Sequence, residues 1–250
     1  MMQNMFLKVA ISNLMQLKNE AYNEFEGGLV MRYTMLISIF FILFIFGCEE
    51  QKLIDYITQE SPATVEKKQD FILFENNNDG MSRRNQEYDS QKKGKLVVDP
   101  NYYTQNEFKR GEVVYYKTPA IDKKKYPRLN PSEHNISRVI ALPGEVVQIK
   151  KGQVQVNGKK LNTFYGKALS WGLDEEEYFH SINQPGTAVC DDLCQKTMKN
   201  YFNMDMDKFK VPDNHLFVMG DTWWRSIDSQ FYGPLPMDLV TGKVLGYEEK

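Results

Sequence analysis

The sequence predicts a mainly β protein, on two observations. Beyond residue 95 the apolar residues fall in short runs rich in Val, Ile, Tyr and Phe that alternate with polar ones. That period of two is what a strand with one buried face requires. Turn-forming pairs punctuate the runs, at Pro143-Gly144, Lys151-Gly152 and Asn157-Gly158. Pro presets φ at the first central position of a turn, Gly accepts a positive φ at the second, and Asn-Gly favours a tight hairpin.

The elements follow in chain order. Asn13 to Glu20 could form a short amphipathic helix, but nothing after it would bury its apolar side. Glu26-Gly27-Gly28 can be encoded by a purine-rich stretch resembling a bacterial ribosome-binding site just upstream of Met31, so residues 1–30 read as a gene-start artefact. A basic start at Arg32 and an apolar run from Met35 to Phe46 come next. A bilayer-spanning helix needs roughly 20 apolar residues, so this shorter run suits a signal peptide better. Ile45-Phe46-Gly47-Cys48 resembles a lipobox, which makes Cys48 the expected lipidation site and membrane lipid a partner. The alternatives are an uncleaved short anchor over 31–47 with an incidental buried cysteine, and a cytoplasmic chain.

Residues 48–95 are polar and read as a tether, with Phe71 to Phe74 as a first strand. Leu96-Val97-Val98 and the run from Gly111 to Pro119 are further strands, and 120–134 is a solvated loop. Val139 to Val156 reads as a β-meander. Residues 96–161 and 211–250 are expected to form the β core, with 162–210 as an inserted accessory subdomain. Within the insertion, Asp191 to Phe202 reads as a short helix with acidic residues at its start. Cys190 and Cys194 are close enough for a local disulfide, which an exported domain would favour; free thiols are the alternative. No further ligands cluster nearby, so no metal site is expected, and no cofactor. The chain of 250 residues has ordinary composition, and its net charge of −2 gives no electrostatic case for nucleic acid.

Arg138-Val-Ile-Ala-Leu-Pro-Gly144 followed by Val154-Gln-Val-Asn-Gly158 resembles a signature of the signal peptidase I family. A second similarity follows about 60 residues on, in Val211-Pro-Asp-Asn-His-Leu-Phe-Val-Met-Gly-Asp221 and then Ser226, Asp228 and Gly233. The resemblance spans about Gly80 to Gly246 and implies the antiparallel β fold of that family and a Ser–Lys dyad. Such a dyad needs a hydroxyl nucleophile and a lysine whose pKa an apolar site lowers.

Neither reacting group is found where the resemblance places it. The lysine position is Ser137, whose hydroxyl is no general base near neutral pH. The nucleophile position is Gly80 when Met81 is matched to the family methionine; Ser82 stands two residues late, and an ungapped count back from Leu96 gives Asn85. Ser226 and Asp228 match the serine and aspartate that support the lysine. Some relatives use a His–Ser pair, and Ser82 with His134 is the one such pair worth testing; His180 and His215 read as surface residues. Trp223-Trp224 either packs under a loop or meets the lipid interface.

Three functions follow from these readings. The first is an extracytoplasmic, membrane-anchored relative without the dyad, which binds signal peptides of preproteins or assists an active signal peptidase. The second is an active signal peptidase that uses unconventional residues. The third is a structural surface lipoprotein.

Overall fold

Two sheets, meeting at the turn after β6, carry the fold of the computed structural model, which describes residues 51–187 and 190–249. The expectations for residues 1–47 and for Cys48 lie outside the described residues. The strands are β1 (Lys52–Ile54), β2 (Ala63–Val65), β3 (Ile72–Phe74), β4 (Leu96–Asp99), β5 (Val113–Lys117), β6 (His134–Ala141), β7 (Val146–Lys150), β8 (Gln153–Val156), β9 (Lys159–Asn162), β10 (Met206–Lys210), β11 (His215–Met219), β12 (Leu235–Pro236) and β13 (Val240–Glu248). The helices are short: α1 (Ser90–Lys93), α2 (Tyr102–Gln105), α3 (Glu175–Ile182), α4 (Asp192–Phe202) and α5 (Ser229–Tyr232). The molecule is mainly β, and nearly all of its pairings are antiparallel; β1 with β9 and β2 with β13 are parallel.

The larger sheet runs β12-β11-β6-β5-β13-β4-β3, and the smaller β1-β9-β8-β7-β10. Leu142 to Glu145 turns the chain from one to the other, with the Glu145 amide bonded to the Leu142 carbonyl and Gly144 at φ +79°. The hairpin between β8 and β9 turns on Asn157 and Gly158, both at positive φ, as an Asn-Gly turn requires. Val147, Ile149, Val154, Val156 and Leu161 then point one way, into a core closed by Met198 and Phe202 of α4 and by Trp223. The larger sheet has a core on each face: Ile136, Val113 and Tyr115 pack with Met81 on one, and Val139, Val114 and Tyr116 pack with Leu216 and Val218 on the other.

Contacts cross two of the boundaries read from the sequence. In the smaller sheet β7 pairs with β10, so that sheet runs across the edge read between the insertion 162–210 and the β core. Periodicity defines each strand but not its partner, which for Ile149 of β7 is Met206, 57 residues further on. Nor are residues 51–95, the described part of the expected tether, free of the domain. Met81, Ser82, Arg83, Glu87 and Tyr88 are all buried, because the polar side chains of this stretch bond to one another and to the sheet instead of to water.

Candidate functional site

Arg138 anchors the site from below. It is buried on β6, and its guanidinium forks onto Asp221, Nε to Oδ1 at 2.7 Å and Nη2 to Oδ2 at 2.6 Å, while Nη1 donates to the Gly111 carbonyl at 2.8 Å. Phe164 and Tyr165 flank the guanidinium with ring centroids 5.0 and 5.2 Å away. Burial works against the charge of Arg138, but the Asp221 carboxylate outweighs it and raises the pKa, so the guanidinium stays charged. Arg83 Nε lies 3.2 Å from the same carboxylate. This ties residues 80–83, the end of β6 and the end of β11 into one unit.

Ser137 is the next residue on β6 and faces the other way. Its hydroxyl is 2.9 Å from that of Tyr116, which is 2.9 Å from that of Tyr232. Ser137 and Tyr116 are buried and Tyr232 is half-buried, and burial pushes both phenols up, so the chain is neutral. It occupies the position where the motif would place an amine. Asp228, fully buried, caps α5 by accepting the Gln230 amide at 3.0 Å and takes the Gly220 amide at 2.9 Å. Burial pushes its carboxyl up to about 6, against those hydrogen bonds. No hydrogen bond joins Asp228 to Ser137 or Ser226 among the described residues.

Gly80 and Ser226 meet directly. The Ser226 hydroxyl donates to the Gly80 carbonyl at 2.9 Å, and the Thr222 amide donates to the same oxygen at 2.9 Å. A Cβ on residue 80 would come within 2.5 Å of Ser226 Oγ and 3.1 Å of its Cα. The hydroxyl thus fills the space a side chain at 80 would need. Ser82 is buried, and its carbonyl accepts from Thr222 Oγ1 at 2.7 Å. Asn85 is exposed and turns its amide to Glu87.

Two asparagines join the Gly80 loop to β6, and sequence reasoning missed both. Asn78 Oδ1 accepts the Gly80 amide at 3.2 Å, and its Nδ2 donates to Asn135 Oδ1 at 2.9 Å. Asn135 Oδ1 also takes the Ile136 amide at 2.9 Å, and its Nδ2 donates to the Ile227 carbonyl at 3.2 Å. Pairing with β5 uses the odd-numbered residues of this part of β6, as the bond from the Val139 amide to Glu112 shows. The Ile136 amide therefore points to the opposite edge, which β11 covers only from Arg138 onward. Asn135 caps that uncovered edge. The signal for it was its position two residues before Ser137, on the same face of the strand.

The structure brings Gly80, Ser226, Asp228 and Ser137 into one region and leaves the histidines out of it. His134 stacks on Tyr115 at 5.2 Å, on the face of β6 opposite Ser137, and no bond joins it to Ser82 among the described residues. His180 bonds to Gln184 on α3, and His215 bonds to its own turn at Asp213. Cys190 and Cys194 are joined by a disulfide with Cα atoms 5.3 Å apart. The two tryptophans separate: Trp223 is buried, while Trp224 is 41% exposed and edge-on to Trp171. No helix among the described residues is long and apolar enough to cross a membrane.

The site is thus an antiparallel β scaffold with the Arg138–Asp221 anchor beneath the Ser226–Asp228 loop. Residues 72–246 match the family described as "Signal peptidase, peptidase S26", and the chain belongs to that family. It is 27% identical over 154 residues to a signal peptidase I of Leptolyngbya laminosa, covering 60% of this chain and 58% of that one. Against a signal peptidase I of Aquifex aeolicus the identity is 29% over 180 residues, covering 59% and 66%. Against that of Bacillus amyloliquefaciens it is 30% over 125 residues, covering 50% and 49%. The chain thus spans between about half and two-thirds of the length of these relatives. A solved signal peptidase I from Enterococcus faecalis V583 superposes with a TM-score of 0.35 at 20% identity, over 56% of this chain and 97% of that one.

Proposed function

We propose that this chain is an extracytoplasmic, membrane-anchored member of the family that does not hydrolyse peptides and instead holds extended precursor segments. One observation carries the reading: position 137 places a serine in a neutral, buried chain of hydroxyls, with no amine to serve as base. The filled space at Gly80 supports it, since Ser226 donates its proton to a carbonyl and is not held by a base. The uncovered edge of β6 is the surface on which an extended segment would add as a strand, once Asn135 releases it. The anchor would be Cys48 with its lipid, or the apolar run before it.

The test uses the full chain in detergent with a preprotein substrate and a peptide of signal-peptide sequence. Absence of cleavage together with a rise in melting temperature at saturating peptide is the expected result. Cleavage that Ser82→Ala or Ser226→Ala abolishes would overturn it. Inertness in both assays would favour the structural lipoprotein. Active cleavage is the second reading, favoured by the retained Ser226 and Asp228 and by relatives that carry the name signal peptidase I.

A further inference from the structure

The most exposed large apolar side chains among the described residues are adjacent: Tyr56 at 86% and Ile57 at 91%. They sit on a turn that the fold builds rigidly. Asp55 Oδ1 accepts the amides of Ile57 at 2.9 Å and Thr58 at 3.0 Å, and Asp55 Oδ2 accepts the Tyr165 hydroxyl at 2.7 Å and bonds Thr58 Oγ1. Burial pushes the Asp55 carboxyl up, but these donors outweigh it and hold the pKa below the usual value. Gly111 lies against the turn so closely that a Cβ there would strike Thr58 and Asp55. The turn is thus seated on the domain, and the two side chains it points outward have no partner among the described residues.

We infer that Tyr56 and Ile57 insert into the lipid interface and set the face that the domain turns to its membrane. The occupant follows from the chain before the turn. Lys52 opens β1, which is hydrogen-bonded to β9, and Cys48 lies four residues earlier. Four extended residues span at most about 14 Å. Wherever Cys48 is held, Lys52 at the start of β1 lies within that reach, and the turn at Tyr56, eight residues on from Cys48, lies within about 28 Å. If Cys48 or the apolar run Met35–Phe46 is in the bilayer, this edge is at its surface, and a Tyr–Ile pair has the amphipathic and apolar chemistry that the interface accepts. Lys52 faces Lys160 across the β1–β9 pair, while Glu49 and Glu50 precede it, so the local charge is mixed and insertion is apolar in origin. The turn precedes residues 72–246, the part that matches the family.

The inference rests on the anchored reading above, and the test separates the two. The full chain is reconstituted in phosphatidylcholine vesicles with a photo-crosslinking phenylalanine analogue in place of Tyr56, of Ile57 or, as a control, of Leu193, which is 73% exposed. Sedimentation reads anchoring, and crosslinking to lipid reads insertion. The expected result is co-sedimentation of all three, with lipid adducts at 56 and 57 at least tenfold above 193 and unchanged in 0.5 M salt, where the Debye length is only about 4 Å. Co-sedimentation without adducts at 56 and 57, or with adducts to protein only, overturns the inference and leaves anchoring standing. A chain that stays in the supernatant overturns both.

Discussion

Arg138 and Ser137 are neighbours on one strand, and their surroundings differ in kind. Arg138 meets a carboxylate of opposite charge in fork geometry, inside a ring of aromatic side chains. Ser137 meets neutral hydroxyls that could be replaced without leaving a charge behind. The first side supports the fold, and the second is where chemistry would occur. On the proposed reading, the chain keeps the motif where it holds the scaffold and departs from it where it would react.

The sharpest way to break this comparison is to unbalance the Arg138 side. Asp221→Asn leaves Arg138 buried without its partner, and losing one member of such a pair costs about 3–5 kcal/mol. Denaturant unfolding should show that loss, whereas Ser137→Ala should cost about 1 kcal/mol, the worth of one neutral hydrogen bond. Equal losses from the two substitutions would remove the distinction between the two faces.

Asp228 gives the next effect. Burial raises its carboxyl from 3.8 to about 6, so between those values the folded state holds a proton that the unfolded chain has lost. Stability from this group is full below pH 4 and falls as pH rises to about 6, by on the order of 2–3 kcal/mol. Asp228→Asn keeps an oxygen for the Gly220 and Gln230 amides and removes the titration. The stability difference between variant and parent should move in the variant's favour across that window, and parallel pH profiles would rule the assignment out.

A third, smaller effect concerns Gly80. Gly80→Ala pushes a Cβ to 2.5 Å from Ser226 Oγ, and overpacking of this kind costs about 1–3 kcal/mol. Adding Ser226→Ala should return part of that loss, since the hydroxyl goes but the backbone Cα at 3.1 Å stays. This also bears on restoring a dyad: Gly80→Ser with Ser137→Lys meets the same obstruction, so the pair alone should fold less stably than the parent. A melting temperature unchanged by Gly80→Ala would show that the loop yields freely.

The strands were legible because each carries its own signal. Alternating Val and Ile at β7 and β8, and positive-φ pairs between strands, require no knowledge of the partner. Sheet membership was not legible, since β10 joins β7 from across two helices. At the site, Ser137, Ser226 and Asp228 were legible through motif position. The clasp of Asn78 and Asn135 was not, because it depends on a contact between residues 57 apart in sequence that neither composition nor period encodes. The stretch 76–90 looked like tether for the same reason: its polar residues are satisfied internally, and sequence polarity does not distinguish that from solvation.

That clasp offers the finest test of the two-sided picture. Asn135 satisfies the outward amide of Ile136 and reaches both Asn78 and the Ile227 carbonyl, so it occupies the edge an added strand would use. Water can replace its bonds at a strand edge, and Asn135→Ala should cost only about 1 kcal/mol in stability. Its effect on binding should run the other way. Freeing the edge removes a competitor for the same backbone groups, so a signal-peptide-like segment should bind Asn135→Ala at least as tightly as the parent, with a gain of about fivefold if the clasp contributes 1 kcal/mol to the closed state. Titration of both proteins with the same peptide measures it. Weaker binding by the variant would mean that the carboxamide is part of the peptide's own contact surface, and the retained face of β6 would then be recognising a segment through Asn135 instead of being closed by it.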